Sequence, residues 1–332
     1  GNDNTALGNG ALQTNTTGDN HTALGRLALK SNTTASNNTA VGFCSLFANT
    51  TGDQNVAVGV VALTDNTTGT ENTALGRFAM TTNTTGSNNT AIGKAALCAN
   101  TTASCNTAVG LDALKTNSTG CGNTAVGWQA LDANTTGDRN VGIGRDALSS
   151  NTTADYNTAV GSEAMEVNST GTANAALGFK ALQVNTTGGS NTAVGYESLK
   201  ANTTANYNTA IGAEALKAQT TGISNVSVGY YSLVASTTGA CNVSVGVQAA
   251  DALTTGVCNT LLGNFAGDNI TTGLRNVIIG KSSHPSAAFG NDQIVMGHDI
   301  SGKGNETFSV GGTSGVFNEN NTTAWQQTSD RR

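Results

Sequence analysis

The sequence predicts an all-β chain, a parallel β-solenoid of 17-residue coils, on three observations. Glycine recurs every 17 residues from Gly8, Gly25 and Gly42 to Gly280, seventeen times without an insertion. Each copy reads close to N-T-A-V-G-x-x-A-L-x-x-N-T-T-G-x-x, as in Asn191-Thr192-Ala193-Val194-Gly195 running on to Asn202-Thr203-Thr204. The unit is too short for a helix pair with its turns, and its Thr, Val, Gly and Asn suit strands and turns. At the ~4.8 Å spacing of stacked strands, seventeen coils predict a rod of roughly 80 Å, the proportions of a spacer or fibre.

N-T-A-V-G opens each coil as a short strand, in which the second and fourth residues share a face and the third points the other way. The second becomes Val at Val56, Val141, Val226, Val243 and Val277, and the fourth is always Leu, Val or Ile, so that face is expected to be the core. Leu7, Val41, Ile92, Val126, Ile211 and Val245 are then buried, and the third-position Ala file faces outward. A second strand is expected around the A-L pair (Leu12, Leu46, Leu114, Leu199, Leu233), giving two thin sheets that close on each other. Its small outward neighbours leave room for a turn or for a second chain.

Asn holds the first repeat position in 16 of 17 copies, His21 being the exception, and the N-T-T position from Asn15 to Asn202. Stacked amides can hydrogen-bond from coil to coil as ladders. The same triplets match the N-glycosylation pattern, with Asn15, Asn32, Asn49 and Asn66 the first acceptors. Glycans on every coil would crowd, and the later replacements Gln219, Ser236, Leu253 and Ile270 suit an inward position, so the ladder is the favoured reading.

Only 11% of the 332 residues are charged, 5% are aromatic, and the formal net charge is −6. A typical domain carries roughly 25% charged residues, so charge-driven disorder is not expected. Without Lys/Arg clusters or a long apolar run, neither nucleic acid nor membrane insertion is expected. Cys241 and Cys258 are one period apart and Cys105 and Cys121 nearly so; both pairs are candidate disulfides, with free thiols the alternative. Cys44 and Cys98 have no obvious mate. The three His (His21, His284, His298) are scattered and no C-x-x-C occurs, so no metal site and no cofactor are expected. No nucleotide-binding, serine-hydrolase or zinc-protease motif is present, and Asp112, Asp146, Glu163, Glu197 and Glu214 read as a solvated face, so the chain is not expected to be an enzyme. Phe43, Trp128, Phe179, Tyr196 and Tyr230 share the position after the repeat Gly, where exposed rings can stack on sugars or anchor a protein, although Arg26, Arg77, Lys94 and Arg145 also occupy it.

The period fails at Lys281, with Pro285 at the break, so residues 1–280 read as the rod and residues 281–328 as a capping or transition segment. The last residues, Ser329-Asp330-Arg331-Arg332, resemble the junction of phage tail fibres and tailspikes that carry a self-cleaving C-terminal intramolecular chaperone. That resemblance implies cleavage between Ser329 and Asp330, with Ser329 as nucleophile, a downstream Lys assisting and residues 329–332 as the start of the chaperone; with no such Lys among the 332 residues, this chain is not expected to cleave itself. Asn225-Val226-Ser227-Val228-Gly229 and Asn55-Val56-Ala57-Val58-Gly59 resemble the head repeats of trimeric autotransporter adhesins, the longer 17-residue unit being the departure. This second resemblance implies a left-handed β-roll packed as a trimer. Together they imply an extracellular or virion-surface fibre, a homotrimer or filament, that serves as rod and attachment to a cell-surface glycan or protein receptor. An ice-binding solenoid and a glycosylated self-assembling fibril are the alternatives; adjacent Thr of N-T-T point to opposite faces, which disfavours the former.

Overall fold

A computed structural model describes residues 1–311, 316–318 and 326–327. It is a parallel β-solenoid, with no helix among the described residues, and falls into two compact units, Gly1–Thr170 and Gly171–Arg332.

The first unit holds ten three-residue strands: β1 (Thr5–Leu7), β2 (Thr22–Leu24), β3 (Thr39–Val41), β4 (Val56–Val58), β5 (Thr73–Leu75), β6 (Thr90–Ile92), β7 (Thr107–Val109), β8 (Thr124–Val126), β9 (Val141–Ile143) and β10 (Thr158–Val160). Within this unit β1 to β9 each pair in parallel with the strand that follows at a shift of one repeat, as in Thr107↔Thr124, Ala108↔Ala125 and Val109↔Val126. The second unit continues the pattern in β11 (Ala175–Leu177), β12 (Thr192–Val194), β13 (Thr209–Ile211), β14 (Val226–Val228), β15 (Val243–Val245), β16 (Thr260–Leu262) and β17 (Val277–Ile279). The ladder carries on past residue 280, because β18 (Ile294–Gly297) and β19 (Phe308–Gly311) add in parallel. Two antiparallel strands, β20 (Val316–Asn318) and β21 (Gln326–Gln327), follow.

Two features of the coil differ from the sequence reading. First, the strand face is reversed. The third-position residues Ala23, Ala40, Ala108 and Ala125 are fully buried, whereas Leu7 is 73%, Ile211 41% and Val245 38% exposed; Val41, Ile92 and Val126 are only half-buried. The interior is too narrow for a branched side chain there. On Gly142 of β9 a Cβ would already stand 3.2 Å from Leu131 Cγ and 3.1 Å from the Ala147 carbonyl. The Leu of A-L, coming from the opposite wall, fills the space that remains: Leu46, Leu63, Leu114 and Leu131 are fully buried, as expected.

Second, the A-L segment is a turn and not a second strand. Its Leu has positive φ (Leu29 51°, Leu46 49°, Leu131 53°), and so do two other non-glycine positions per coil, for example Leu27 (62°) and Asn37 (60°). Left-handed backbone is disfavoured for these residues, and it persists here because all three N–H groups are thereby paired with a neighbouring coil: Leu27 to Asn9 O (2.9 Å), Leu29 to Ser45 O (3.0 Å) and Asn37 to Asp19 O (2.9 Å). The repeat Gly turns the corner after the strand at φ near +135°, and a Cβ on Gly25 would lie 2.5 Å from Gly42 O, which explains why no other residue takes the position.

Two amide columns complete the core. In the first, Asn55 N donates to Asn38 Oδ1 (2.8 Å) while Asn38 Nδ2 donates to Gly52 O (2.9 Å). His21 substitutes for Asn in this column, its Nδ1 accepting from Asn38 N (3.2 Å) and its Nε2 lying 2.7 Å from Ala35 O, which fits the Nε2–H tautomer. In the second, Asn66 Nδ2 donates to Asn49 Oδ1 (2.7 Å) and to its own turn at Gly69 O (2.9 Å), so one side chain ties two coils and closes the N-T-T-G turn. Near the end of the second unit the core turns apolar by a volume exchange. Leu261 and Ile278 replace the inner Ala, Leu253 and Ile270 replace the Asn, and Ala250 and Gly267 replace the Leu; a Cβ on Gly267 would lie 2.6 Å from Leu261 Cδ2.

Candidate functional surface

The reversal of the strand face leaves an apolar surface uncovered. In both units the second-position Thr and Val and the fourth-position Leu, Val and Ile stand outward in two files, i and i+2 on every strand. Leu75 is 46% exposed. Past the Gly corner runs the column of aromatic residues. Phe43, Trp128, Phe179, Tyr196 and Tyr230 are all exposed, and the column also displays Val60, Leu111 and Val247, aliphatic residues at the same repeat position. The rings of Phe179 and Tyr196 stack at 5.7 Å and 18°, and the Arg26 guanidinium lies 5.8 Å from the Phe43 ring, so long cations and rings cover one another along the column.

The two N-T-T threonines diverge. The Thr33 hydroxyl donates to Thr50 O (3.0 Å), and the Thr50 hydroxyl to Thr67 O (3.0 Å), whereas Thr34 and Thr51 are exposed. One exposed Thr file results, not a double one. The Asn15, Asn32, Asn49 and Asn66 amides belong to the second column. Asn32, Asn49 and Asn66 are fully buried, and Asn49 Nδ2 spends both hydrogens, on Asn32 Oδ1 (3.2 Å) and Gly52 O (2.9 Å). A glycan would replace one of those bonds and find no outlet, so the fold is incompatible with the acceptor reading at these three residues. Asn15, half-buried at the first turn, donates likewise to Gly18 O (2.9 Å) and accepts from Asn32 (2.9 Å).

All six cysteines are free thiols, Cys105, Cys121, Cys241 and Cys258 exposed and Cys44 and Cys98 half-buried; neither expected pair is bridged. Cys105 and Cys121 line a surface depression with Ser104, Gly122, Asp138 and Arg139. The carboxylates are not the solvated face expected: Glu197 is buried, Asp112, Asp146, Glu163 and Glu214 are half-buried, and all five lie in ion pairs, because Lys and Arg of the same or the stacked coil stand beside them. Asp112 meets Lys115 (3.4 Å), Asp146 meets Arg145 (2.8 Å), and Arg145 also bridges to Glu163 in the next coil. Glu197 meets Lys200 (2.6 Å) and Lys217 (2.7 Å), and Glu214 also meets Lys217 (2.9 Å). The hydrogen bonds from Lys200 and Lys217 hold the Glu197 carboxyl below the usual range. Burial pushes Asp132 and Asp146 upward, Lys115 and Arg145 respectively offsetting part of that effect. Among the described residues no three His, Cys, Asp or Glu side chains come together as metal ligands. Ser329 and Asp330 lie outside the described residues. No family model, curated protein or solved structure matches the chain.

Proposed function

We propose that the chain is the repetitive shaft of a structural fibre on a cell or virion surface, and that it works as a homo-oligomer packed through its strand face. The uncovered apolar face is the observation that carries this reading. In the first unit, ten strands at ~4.8 Å with two outward files about 7 Å apart present on the order of 340 Å² of Thr, Val, Leu and Ile. That is the size of the largest patch on a typical monomer, which is often a contact surface. The one-repeat register places equivalent residues at equal intervals, so parallel copies meet like side chain against like at every coil. A parallel homotrimer is the form that the resemblance to autotransporter head repeats favours. Attachment to a surface glycan or protein rests on the exposed rings of Trp128, Tyr196 and Tyr230.

Native mass measurement tests the assembly. The chain is expected at three times 33.2 kDa at micromolar concentration, and Val109→Lys with Val126→Lys is expected to release folded monomer. A wild-type monomer under these conditions overturns the reading. The outward Thr and aliphatic files, i and i+2 on each strand, favour one second reading, an ice-binding solenoid; thermal hysteresis from a monomer would establish it in place of the fibre.

A further inference from the structure

We propose that Cys241 and Cys258 are an oxidisable dithiol, a modification site that closes to an inter-coil disulfide and reopens on reduction. Both occupy the position five residues before the repeat Gly, both are left-handed (φ 56° and 58°), and both thiols are free and exposed. Their rungs stack directly. Cys241 N donates to Ile223 O and Cys258 N to Ala240 O, each at 3.0 Å. In-register stacking puts the two Cα atoms about 4.8 Å apart, inside the span that a disulfide bridges.

Because the Cα–Cβ bonds of stacked equivalents run parallel, the Cβ atoms keep about the same separation, slightly beyond the ~3.5–4.5 Å of a relaxed bridge. Closure therefore draws the coils together by less than about 1 Å, and the resulting bond is more easily reduced than a relaxed structural one. The neighbours in the column do not compete. Ser224 precedes the pair, and Arg275 after it is held by Asp292 through two hydrogen bonds (2.7 and 2.8 Å). The other cysteines lack this alignment. Cys105 takes the same repeat position but has Gly122 as its stacked equivalent, with Cys121 offset by one residue and its Sγ 3.5 Å from Thr119 O. Cys44 and Cys98 are half-buried and in different columns.

The co-reactant is a small-molecule disulfide. One protein thiolate attacks a sulfur of that disulfide, breaks its S–S bond and expels one small thiol, leaving a mixed disulfide on the protein. The second protein thiolate attacks the protein-bound sulfur and expels the other small thiol. Two protein thiols are oxidised to one disulfide, one small disulfide is reduced to two thiols, and the two protons go to the leaving groups.

The test treats the full chain with hydroxyethyl disulfide and cleaves it before Asp251, which separates the two cysteines. The expected result is the two peptides joined by a bond that dithiothreitol releases, with loss of the joined species in Cys258→Ser and a mixed-disulfide adduct on Cys241 in its place. Mixing isotope-labelled with unlabelled chains before oxidation separates a bridge within one chain from one between chains. Separate adducts on both cysteines of the native chain, or hybrid-labelled linkage, would overturn the proposal. Neither outcome depends on whether the chain is a trimer.

Discussion

The second amide column makes a prediction whose size follows from counting bonds. Asn100 Nδ2 donates to Asn83 Oδ1 (2.7 Å) and Ala103 O (3.0 Å), and its Oδ1 accepts from Asn117 Nδ2 (3.2 Å). Asn117 Nδ2 also donates to Gly120 O (2.9 Å), and its Oδ1 accepts from Asn134 Nδ2 (2.9 Å). Asn100→Ala removes three bonds and leaves the buried Asn83 Oδ1 without a donor; Asn117→Ala removes three and leaves Asn100 Oδ1 so. At about 1 kcal/mol per bond, with part of a desolvation penalty for the stranded acceptor, each is expected to cost about 3–4 kcal/mol. The double variant shares one bond between its members and strands only Asn83 Oδ1. Its cost is therefore expected to fall short of the sum by about one bond and one stranded acceptor, roughly 2 kcal/mol. Solenoid coils open locally, so the assay is hydrogen exchange at Leu97, Thr101 and Leu114, whose amides donate to the next coil, with urea unfolding alongside. Asn49→Ala with Asn134→Ala, several coils apart, is the additive control. If Asn100 and Asn117 are additive within ~0.3 kcal/mol, the column is a set of independent turn closures and not a ladder.

The column stops at Asn202, whose Oδ1 is buried without a donor because Gln219 Nε2 turns to Gly239 O (3.1 Å); Gln219 Oε1 and Ser236 Oγ are also buried and unpartnered. Gln219→Asn extends the ladder by one rung and is expected to raise stability by about 1 kcal/mol in urea unfolding. The two faces of β8 are expected to respond in opposite ways. Ala125→Leu overpacks the interior and costs at least 1–3 kcal/mol, whereas Val126→Leu stays within about 0.5 kcal/mol in a monomeric background; equal effects would place the interior on the wrong side. The Glu197 carboxyl is lowered by Lys200 and Lys217, so its contribution is full above the unfolded value near 4.5 and is lost as pH falls through the lower folded value. Acid unfolding of Glu197→Gln is expected to lack that segment. Asp132 has the opposite sign. Burial raises it and its Oδ1 has no partner, so Asp132→Asn is expected to stabilise at neutral pH and to lose its advantage once acid protonates the native aspartate.

The sequence by itself determined the period, the parallel stacking and the amide ladders. Each repeats with the chain: Gly at one position in every copy requires one backbone corner per coil, and Asn giving way to Leu253 and Ile270 marks an enclosed site. Which side of the strand faces in was decided by tertiary structure. Val126 and Ala125 alternate as any half-buried strand does, and size suggested the larger residue for the core. The cross-section of a 17-residue coil reverses that choice, because Leu131 and its equivalents reach across from the turn and leave room only for Ala. The A-L turn was hidden for a related reason. Positive φ at Leu29 or Leu131 carries no mark in residue type, since these side chains ordinarily avoid it; it is sustained by N–H groups aimed at neighbouring coils, and those exist only once the coils are stacked. The outward Thr, Val, Leu and Ile face follows from the same constraint: a coil with space for one large side chain turns its remaining branched residues to the outside.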